Sequence, residues 1–141
     1  MFKVLVPVDG SPSSDHAIQH LVRLTQERGT MEVHLLNVQE VIDAWEVRRF
    51  LRDPEIEAMQ SARGEDALRS ARTLLDRAGV HYTPHTLVGP VAETLSRFAR
   101  EQRCDEIVMG TRGLGAIENL LLGSVATKVI HLTDVPVTLV K

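Results

Sequence analysis

The sequence has 141 residues, which is long enough for one domain with a hydrophobic core and too short for two. The net charge is −3 and Lys and Arg are scattered among acidic residues, so no nucleic-acid surface is expected. Cys104 is the only cysteine, which excludes an internal disulfide and a cysteine-based metal site, and no apolar run approaches the roughly 20 residues of a membrane span.

The chain begins with a strand pattern directly after Met1, without the basic and apolar segments of a signal peptide. We therefore expect a cytoplasmic protein that does not insert into a membrane. The run at residues 2–8 is rich in Val and Leu and predicts a short parallel strand, buried on both faces. In the turn that follows, Ser11 is the expected N-cap and Pro12 the first residue of a helix that runs to about Arg28.

The second strand is predicted at residues 32–38. It contains His34, which we interpret as an ordinary strand histidine because no second His or carboxylate lies at metal-ligand spacing. The segment 40–53 is ambiguous, since its apolar residues fit one face of a short helix and also a lid over a ligand. Trp45 in this segment could stack on a ligand ring, or pack the segment onto the body of the protein or a partner subunit.

Pro54 begins the pattern of a long helix, whose middle is weakened by Gly64. The third strand is predicted at residues 81–88. Pro84 within it has no N–H to donate to a central ladder, so this strand should lie at a sheet edge or carry a bulge. A third helix follows directly after this strand.

An apolar run at residues 106–109 predicts the fourth strand, and glycines follow it at positions 110, 113 and 115. Gly123 and Ser124 open a fourth helix, and residues 136–140 form the fifth strand. Glycine lets a ligand approach the main chain without meeting a Cβ, and a helix N-terminus attracts anions, so this stretch is a candidate phosphate cradle. The same glycines are also explained as turn and helix-boundary residues, and spacing alone leaves both interpretations open.

Five strands that alternate with four helices predict an α/β fold, a single domain over residues 1–141 with a doubly wound parallel sheet and helices on both faces. Because Pro84 places strand three outside, the predicted order is 3-2-1-4-5. The chain reverses direction between strands one and four, and ligands bind at such a switch point, beyond the carboxyl ends of the strands. The loops there are residues 7–11 and 110–123, so the fold and the glycines indicate the same crevice.

The glycine spacing resembles the signature of the ATP-binding branch of the universal stress protein family. Gly110 and Gly113 are separated by two residues, and nine residues separate Gly113 from Gly123 and Ser124, which is a long and specific pattern. Further family-like motifs lie at residues 3–11, 87–90 and 135–137. The resemblance covers nearly the whole chain, with residues 40–60 the least similar part, and it implies the strand order derived above.

The switch point and the resemblance together predict the residues of a nucleotide site. Phosphates are expected against the backbone of the glycine loop and the start of the fourth helix, at Gly110, Gly113, Gly115, Gly123, Ser124 and Val125. The base and ribose are expected against Pro7, Val8 and Asp9. The family implies a backbone contact from Val38, at the end of strand two, to the adenine.

Three further side chains carry open alternatives. Met109 could cover the sugar or the base. Arg112 could pair with a phosphate oxygen or remain a solvated loop arginine. Asp9 could accept from a ribose hydroxyl, contact water on a Mg²⁺ ion, or only bond its own turn. No direct metal ligand is expected from the protein.

Catalysis is expected to be weak. Hydrolysis of ATP needs a positioned water and charge neutralisation at the γ-phosphate, and we find no lysine beside the glycine loop and no convincing base. We therefore expect a regulatory or stress-response protein that binds ATP, or ADP or AMP, with Mg²⁺. The alternatives are an enzyme of the adenine-nucleotide α-hydrolase type, a slow ATPase, and an interaction module that binds no nucleotide.

The fifth strand, residues 136–140, is apolar and ends at a sheet edge. Open edges recruit pairing partners, and the resembling family commonly joins such terminal strands. We therefore expect a homodimer through this strand, together with a regulatory protein partner that the sequence does not identify.

Overall fold

The structure, a computed structural model, describes residues 1–41, 49–113 and 121–141. It contains a parallel sheet of five strands in the order β3-β2-β1-β4-β5, which confirms the predicted fold class and strand order. The strands are β1 Lys3–Pro7, β2 Glu32–Gln39, β3 Tyr82–Val88, β4 Glu106–Gly110 and β5 Val137–Val140. The connections contain the helices α1 Pro12–Arg28, α2 Asp53–Arg77, α3 Val91–Glu101 and α4 Ser124–Leu132.

The helices cover both faces of the sheet and form two separate apolar cores. Side chains alternate between the faces along each strand, so Val4 and Val6 pack with α1 and α2, whereas Leu5 packs with α3 and α4. Leu35 and Leu36 of β2 divide in the same way. We call these the α1/α2 core and the α3/α4 core. Burial on both faces explains why the central strands β1 and β4 are nearly continuous apolar runs, whereas the edge strand β3 is more polar and largely exposed.

The strand β3 lies at a sheet edge, as Pro84 predicted. It pairs with β2 alone, and Pro84 stands opposite Leu35 in that register. The observed strands begin one residue later than predicted, β3 at Tyr82 and β5 at Val137. Such shifts at the ends of elements are usual because terminal hydrogen bonds fray.

The start of α1 also agrees with the sequence. Ser11 is the N-cap with an extended backbone, and its Oγ accepts from the Ser14 N–H at 3.2 Å. Pro12 occupies the first turn, where its missing N–H removes no helical bond. The helix begins directly after the turn that follows β1.

Gly64 has a structural reason that the sequence does not reveal. A Cβ at this position of α2 would lie 2.5 Å from Cγ2 of Thr86 and 2.9 Å from its Oγ1. Glycine therefore lets α2 lie close against β3. Without this contact, a glycine in the middle of a helix would only destabilise it.

The position of β1 between β2 and β4 creates the predicted switch point. The chain runs from β1 to β2 and β3 on one side, and to β4 and β5 on the other. Val4 stands opposite Glu106 and Leu5 opposite Ile107, so β1 and β4 end side by side. Trp45 lies outside the described residues, as do the other residues of 42–48 in the segment predicted as a helix face or lid, and Gly115.

Candidate functional site

Asp9 follows β1 and is bonded to its own turn. Its Oδ1 accepts from the Ser11 N–H at 2.9 Å and from Ser14 Oγ at 2.7 Å. The turn-bonding role, one of the three predicted for Asp9, is therefore present. Gly10 has φ of 83°, a conformation that glycine adopts without strain. These bonds tie the Asp9 carboxylate to the first turn of α1.

Gly110 and Gly113 pack against this turn and the start of α1. A Cβ on Gly110 would lie 2.7 Å from the Ser13 carbonyl oxygen, and a Cβ on Gly113 would lie 2.6 Å from Asp9 Oδ2. The Arg112 N–H donates to Ser13 Oγ at 3.3 Å. The two loops of the switch point thus contact each other, and glycine is needed for that contact whether or not a ligand is bound.

The helix α4 begins beside the same loop. Gly123 is its N-cap, and the helix has no side-chain cap. The Gly123 N–H donates to the Thr111 carbonyl at 2.6 Å, and a Cβ on Gly123 would lie 3.4 Å from Arg112 Cα. The Gly123 N–H is therefore engaged, whereas the first-turn N–H groups from Ser124 onward have no acceptor within the helix. An anion here would meet those donors and the positive end of the helix dipole.

The apolar residues Val8, Val38 and Met109, predicted for the site, have buried side chains. Val8 is 3% exposed and packs in the α1/α2 core. Val38 and Met109 are 9% and 5% exposed and pack in the α3/α4 core. The Met109 side chain is thus already surrounded by protein, which does not favour the predicted cover over a sugar or base.

Two polar residues that the sequence analysis missed join the ends of three strands. Asn37 Nδ2 donates to the Val8 carbonyl at 2.8 Å, and Asn37 Oδ1 accepts from Gln39 Nε2 at 2.6 Å. The Gln39 carbonyl accepts from the Gly89 N–H at 2.9 Å. Asn37 is 2% exposed, on the sheet face that carries Leu35. The sequence feature that could have revealed Asn37 is a polar residue within an otherwise buried part of the strand.

A cleft of about 330 Å³ opens at this edge of the sheet, between the N-termini of α3 and α4. Its walls are Glu40, Val41, Gly89, Pro90, Val91, Ala92, Glu93, Ser124, Val125 and Lys128. Lys128 lies four residues after Ser124, on the same side of α4. A lysine is therefore close to the predicted phosphate side, which the sequence analysis overlooked because it searched the loop and not the next helical turn.

His34 lies elsewhere, in a polar chain across the sheet. Its Nδ1 is 2.9 Å from His85 Nε2, and its Nε2 is 3.0 Å from a Glu32 carboxylate oxygen. Both imidazole rings also contact the ring of Phe98. Burial, and then the neighbouring His34, lower the pKa of His85. In the described residues, no three His, Cys, Asp or Glu side chains are arranged to hold a metal ion.

None of the helices in the described parts of the chain has the length and apolarity of a bilayer crossing. Among known proteins, universal stress protein MJ0531 of Methanocaldococcus jannaschii is 31% identical over 147 residues, covering 99% of this chain and 81% of its own. A universal stress protein of Thermus aquaticus is 35% identical over 144 residues, covering both chains completely.

Solved structures share the fold. The structure of the Methanocaldococcus jannaschii protein MJ0577 has a TM-score of 0.84 at 26% identity, covering 99% of this chain and 95% of its own. A family member from Arabidopsis thaliana with AMP bound has a TM-score of 0.72 at 20% identity, covering 100% and 92%. The Archaeoglobus fulgidus protein in complex with dAMP has a TM-score of 0.70 at 22% identity, covering 100% and 98%. The family model described as universal stress protein family matches residues 1–141. The chain belongs to the universal stress protein family.

Proposed function

We propose that this chain binds an adenine nucleotide, ATP or else ADP or AMP, at the carboxyl edge of the sheet. The phosphates lie against the loop of Gly110 and Gly113 and the N-terminus of α4, and the base and ribose lie toward the ends of β1 and β2. Family members with this fold have been solved with AMP and with dAMP, which supports the class of ligand. The switch-point geometry supports the location of the nucleotide site at the carboxyl ends of β1 and β4.

The start of α4 is the observation that carries the proposal. It combines a helix N-terminus without a side-chain cap, the Ser124 hydroxyl, and Lys128 one turn further along the same cleft. Backbone donors, a hydroxyl and an ammonium group at one helix start are the groups that bind phosphate in other proteins. Arg112 belongs to the adjoining loop and supplies a second cation for the phosphates.

Asp9 is the residue that couples the ribose side to the phosphate side. Its Oδ1 is bonded to the α1 turn, and its Oδ2 lies toward Gly113 of the phosphate loop. At this position the carboxylate accepts from a ribose hydroxyl or from a water on a Mg²⁺ ion that accompanies the phosphates. Mg²⁺ usually keeps several waters and is held partly by substrate phosphates, so few protein ligands are needed.

The biological role that we propose is regulatory: nucleotide occupancy changes the surface or assembly of a stress-response protein. A second candidate function is slow ATP hydrolysis. It is favoured by Glu40 and Glu93, whose side chains line the same cleft as Ser124 and can orient a water. We also propose that the chain forms a homodimer through β5 and acts on a regulatory protein partner.

The proposal is tested by thermal unfolding and calorimetric titration with ATP, ADP, AMP and GTP, each with and without Mg²⁺. A ligand at about 100 times its Kd stabilises a protein by about 2.7 kcal/mol, which raises Tm by several degrees in a domain of this size. We expect a selective response to adenine nucleotides. No shift and no heat with any of them would contradict the proposal.

Ser124→Pro is the sharpest variant for the phosphate side. Ser124 is the first residue of α4, where proline fits, and Gly123 before it has φ of −73° and ψ of 168°, which suits a residue that precedes proline. The change removes one N–H and the hydroxyl while leaving the helix intact. We expect ATP affinity to fall at least about tenfold with an unchanged Tm of the ligand-free protein. Ser124→Ala, which removes the hydroxyl alone, is the matched control and should lose less affinity.

A further inference from the structure

The Asn37 amide takes the place of a main-chain donor at the end of β1. Val8 follows the pair Pro7 and Leu36 in the register of β1 and β2, and its N–H donates to the Leu36 carbonyl at 2.9 Å. In a regular parallel ladder, the next bond runs from the Val38 N–H to the Val8 carbonyl. Here that carbonyl accepts from Asn37 Nδ2 at 2.8 Å instead.

Because the Asn37 amide occupies the Val8 carbonyl, the Val38 backbone can bind a different partner. An extended residue presents its N–H and C=O to the same side of the strand, and alternate residues share that side. Leu36 faces β1, so the backbone groups of Val38 also face that way, beyond Pro7, the last residue of β1. One donor beside one acceptor matches the adenine edge, where a ring nitrogen accepts and the exocyclic amine donates.

The orientation of the amide is set by its other partner. Gln39 Nε2 donates to Asn37 Oδ1 at 2.6 Å, which leaves the nitrogen of the Asn37 amide directed at Val8. Because Asn37 is 2% exposed, water does not compete for these bonds. The Gln39 carbonyl accepts from the Gly89 N–H, so the same group of bonds reaches the loop that lines the cleft.

We propose that Asn37 is a positioning residue for the nucleotide base. By holding the Val8 carbonyl, it leaves the Val38 N–H, beside the Val38 C=O, available to the adenine edge. The inference rests on the proposed function and adds a residue that sets the base specificity of that site. Asn37 does not touch the nucleotide itself.

The first test is Asn37→Leu, which keeps the number and branching of the side-chain heavy atoms and removes the donor, so that the Val8 carbonyl takes the Val38 N–H. Affinities for ATP, GTP and inorganic tripolyphosphate are measured by calorimetry on the full chain. We expect ATP affinity to fall about tenfold, as the loss of one or two hydrogen bonds would cause, and the preference of ATP over GTP to shrink. Tripolyphosphate affinity should stay unchanged, because the phosphate side is untouched. A loss of stability alone would not separate the two ligands in this way.

Asn37→Asp is the second variant and provides a pH readout. An ionised carboxylate cannot donate to the Val8 carbonyl, whereas the protonated acid can, and burial raises the pKa of a carboxyl group. We expect the ATP affinity of this variant, relative to that of the wild type, to rise as the pH falls from 8 to about 5. This test remains decisive if Asn37→Leu does not fold. A constant ratio over this range would overturn the proposal.

The outcomes separate this inference from the proposed function. If the wild-type protein binds neither ATP nor AMP, the nucleotide site itself is wrong. If the wild type binds ATP, and Asn37→Leu loses no affinity or loses ATP and tripolyphosphate affinity equally, the site stands and the role of Asn37 is wrong. A third readout is the Val38 amide signal in a ¹⁵N spectrum, which should shift on addition of AMP to the wild type and less in Asn37→Leu.

Discussion

The contact between Gly113 and Asp9 shows that the proposed phosphate loop is also packed against the turn after β1. Because a Cβ on Gly113 would lie 2.6 Å from Asp9 Oδ2, a larger residue must displace the carboxylate even when no nucleotide is present. A Gly113→Val variant that lost ATP affinity would therefore not distinguish a blocked phosphate from a disturbed turn. The donor deletion at Ser124 makes that distinction because it leaves the contact between Gly113 and Asp9 untouched.

The contact predicts a non-additive pair of substitutions. We expect Gly113→Ala to destabilise the ligand-free protein by about 1–3 kcal/mol, the usual range for an added group in a packed place. Asp9→Ala alone should also destabilise it, because two hydrogen bonds to the α1 turn are lost. The double variant should be more stable than the sum of the two effects indicates, since the carboxylate that obstructs the new methyl group is absent. Urea unfolding of the four proteins measures the coupling, and strict additivity would contradict the contact.

His85 predicts a pH-dependent stability. Burial lowers the pKa of its imidazole below the ordinary value of 6.5. His85 therefore binds a proton more readily in the unfolded chain than in the folded protein. The stability from neutral His85 is fully present above about pH 6.5 and is lost as the pH falls toward the lower pKa of the folded state. His85→Phe keeps an aromatic ring beside Phe98 and should flatten the dependence of Tm on pH between 5 and 7. The exposed His81→Gln is the control, and an equal flattening there would contradict the assignment.

At residue scale, the sequence predicted the groups whose chemistry is carried by local pattern and missed those that need a partner. Ser11 and the start of α4 were predictable because caps and helix ends are read from neighbouring positions. The role of Asn37 was not predictable, because it depends on a hydrogen bond to the Val8 carbonyl, 29 residues away in the chain. Lys128 was missed because it lines a cleft that forms only where α3 and α4 come together.

At the scale of elements, α2 and β3 are fitted to each other through Gly64 and Thr86. An alanine in an exposed helix interior normally stabilises by about 1 kcal/mol over glycine. We expect Gly64→Ala to do the opposite, because its methyl group would meet Thr86 Cγ2. Thr86→Ala in the same chain should restore much of the lost stability. Thermal unfolding of the single and double variants measures this, and a stabilised Gly64→Ala protein would show that α2 does not lie so close to β3.

The elements themselves followed from pattern. Strand patterns bounded by turn residues predicted the five strands, and Pro84 predicted the edge position of β3, since a missing N–H restricts a strand whatever its neighbours are. The order 3-2-1-4-5 followed from that single constraint and the handedness of the crossovers. Pattern does not predict the distance between packed elements. Here that distance is set by the close approach of Gly64 in α2 to Thr86 in β3.

At the scale of the whole molecule, the edge of β5 predicts the assembly. Ile107 donates to the Pro136 carbonyl and Thr111 to the Val140 carbonyl, so the even-numbered residues face β4 and the N–H groups of Val137 and Leu139 point away from the sheet. We expect light scattering to give twice the 15.7 kDa of the chain. Val137→Pro, which removes one outward N–H, should lower the dimer affinity.

Val137→Ala, which keeps that N–H, is the control for side-chain loss, and far-UV circular dichroism verifies that each variant is folded. A mass of 15.7 kDa at all concentrations of the wild type would show that β5 does not pair with a second copy.

The pairing of β1 with β4 also fixes when the site can form during synthesis. Val4 pairs with Glu106, which is synthesised about a hundred residues later, and the proposed phosphate loop and α4 are synthesised later still. A ribosome-bound chain that ends before residue 106 can pair β1 with β2 and β2 with β3, but it leaves the other edge of β1 open. The proposed nucleotide site therefore cannot form until α4 has been synthesised, when β1 to β4 have already been made. A nucleotide bound there would report only on a chain at this late stage, and the cell's nucleotide supply could not act as a template for the early stages of folding.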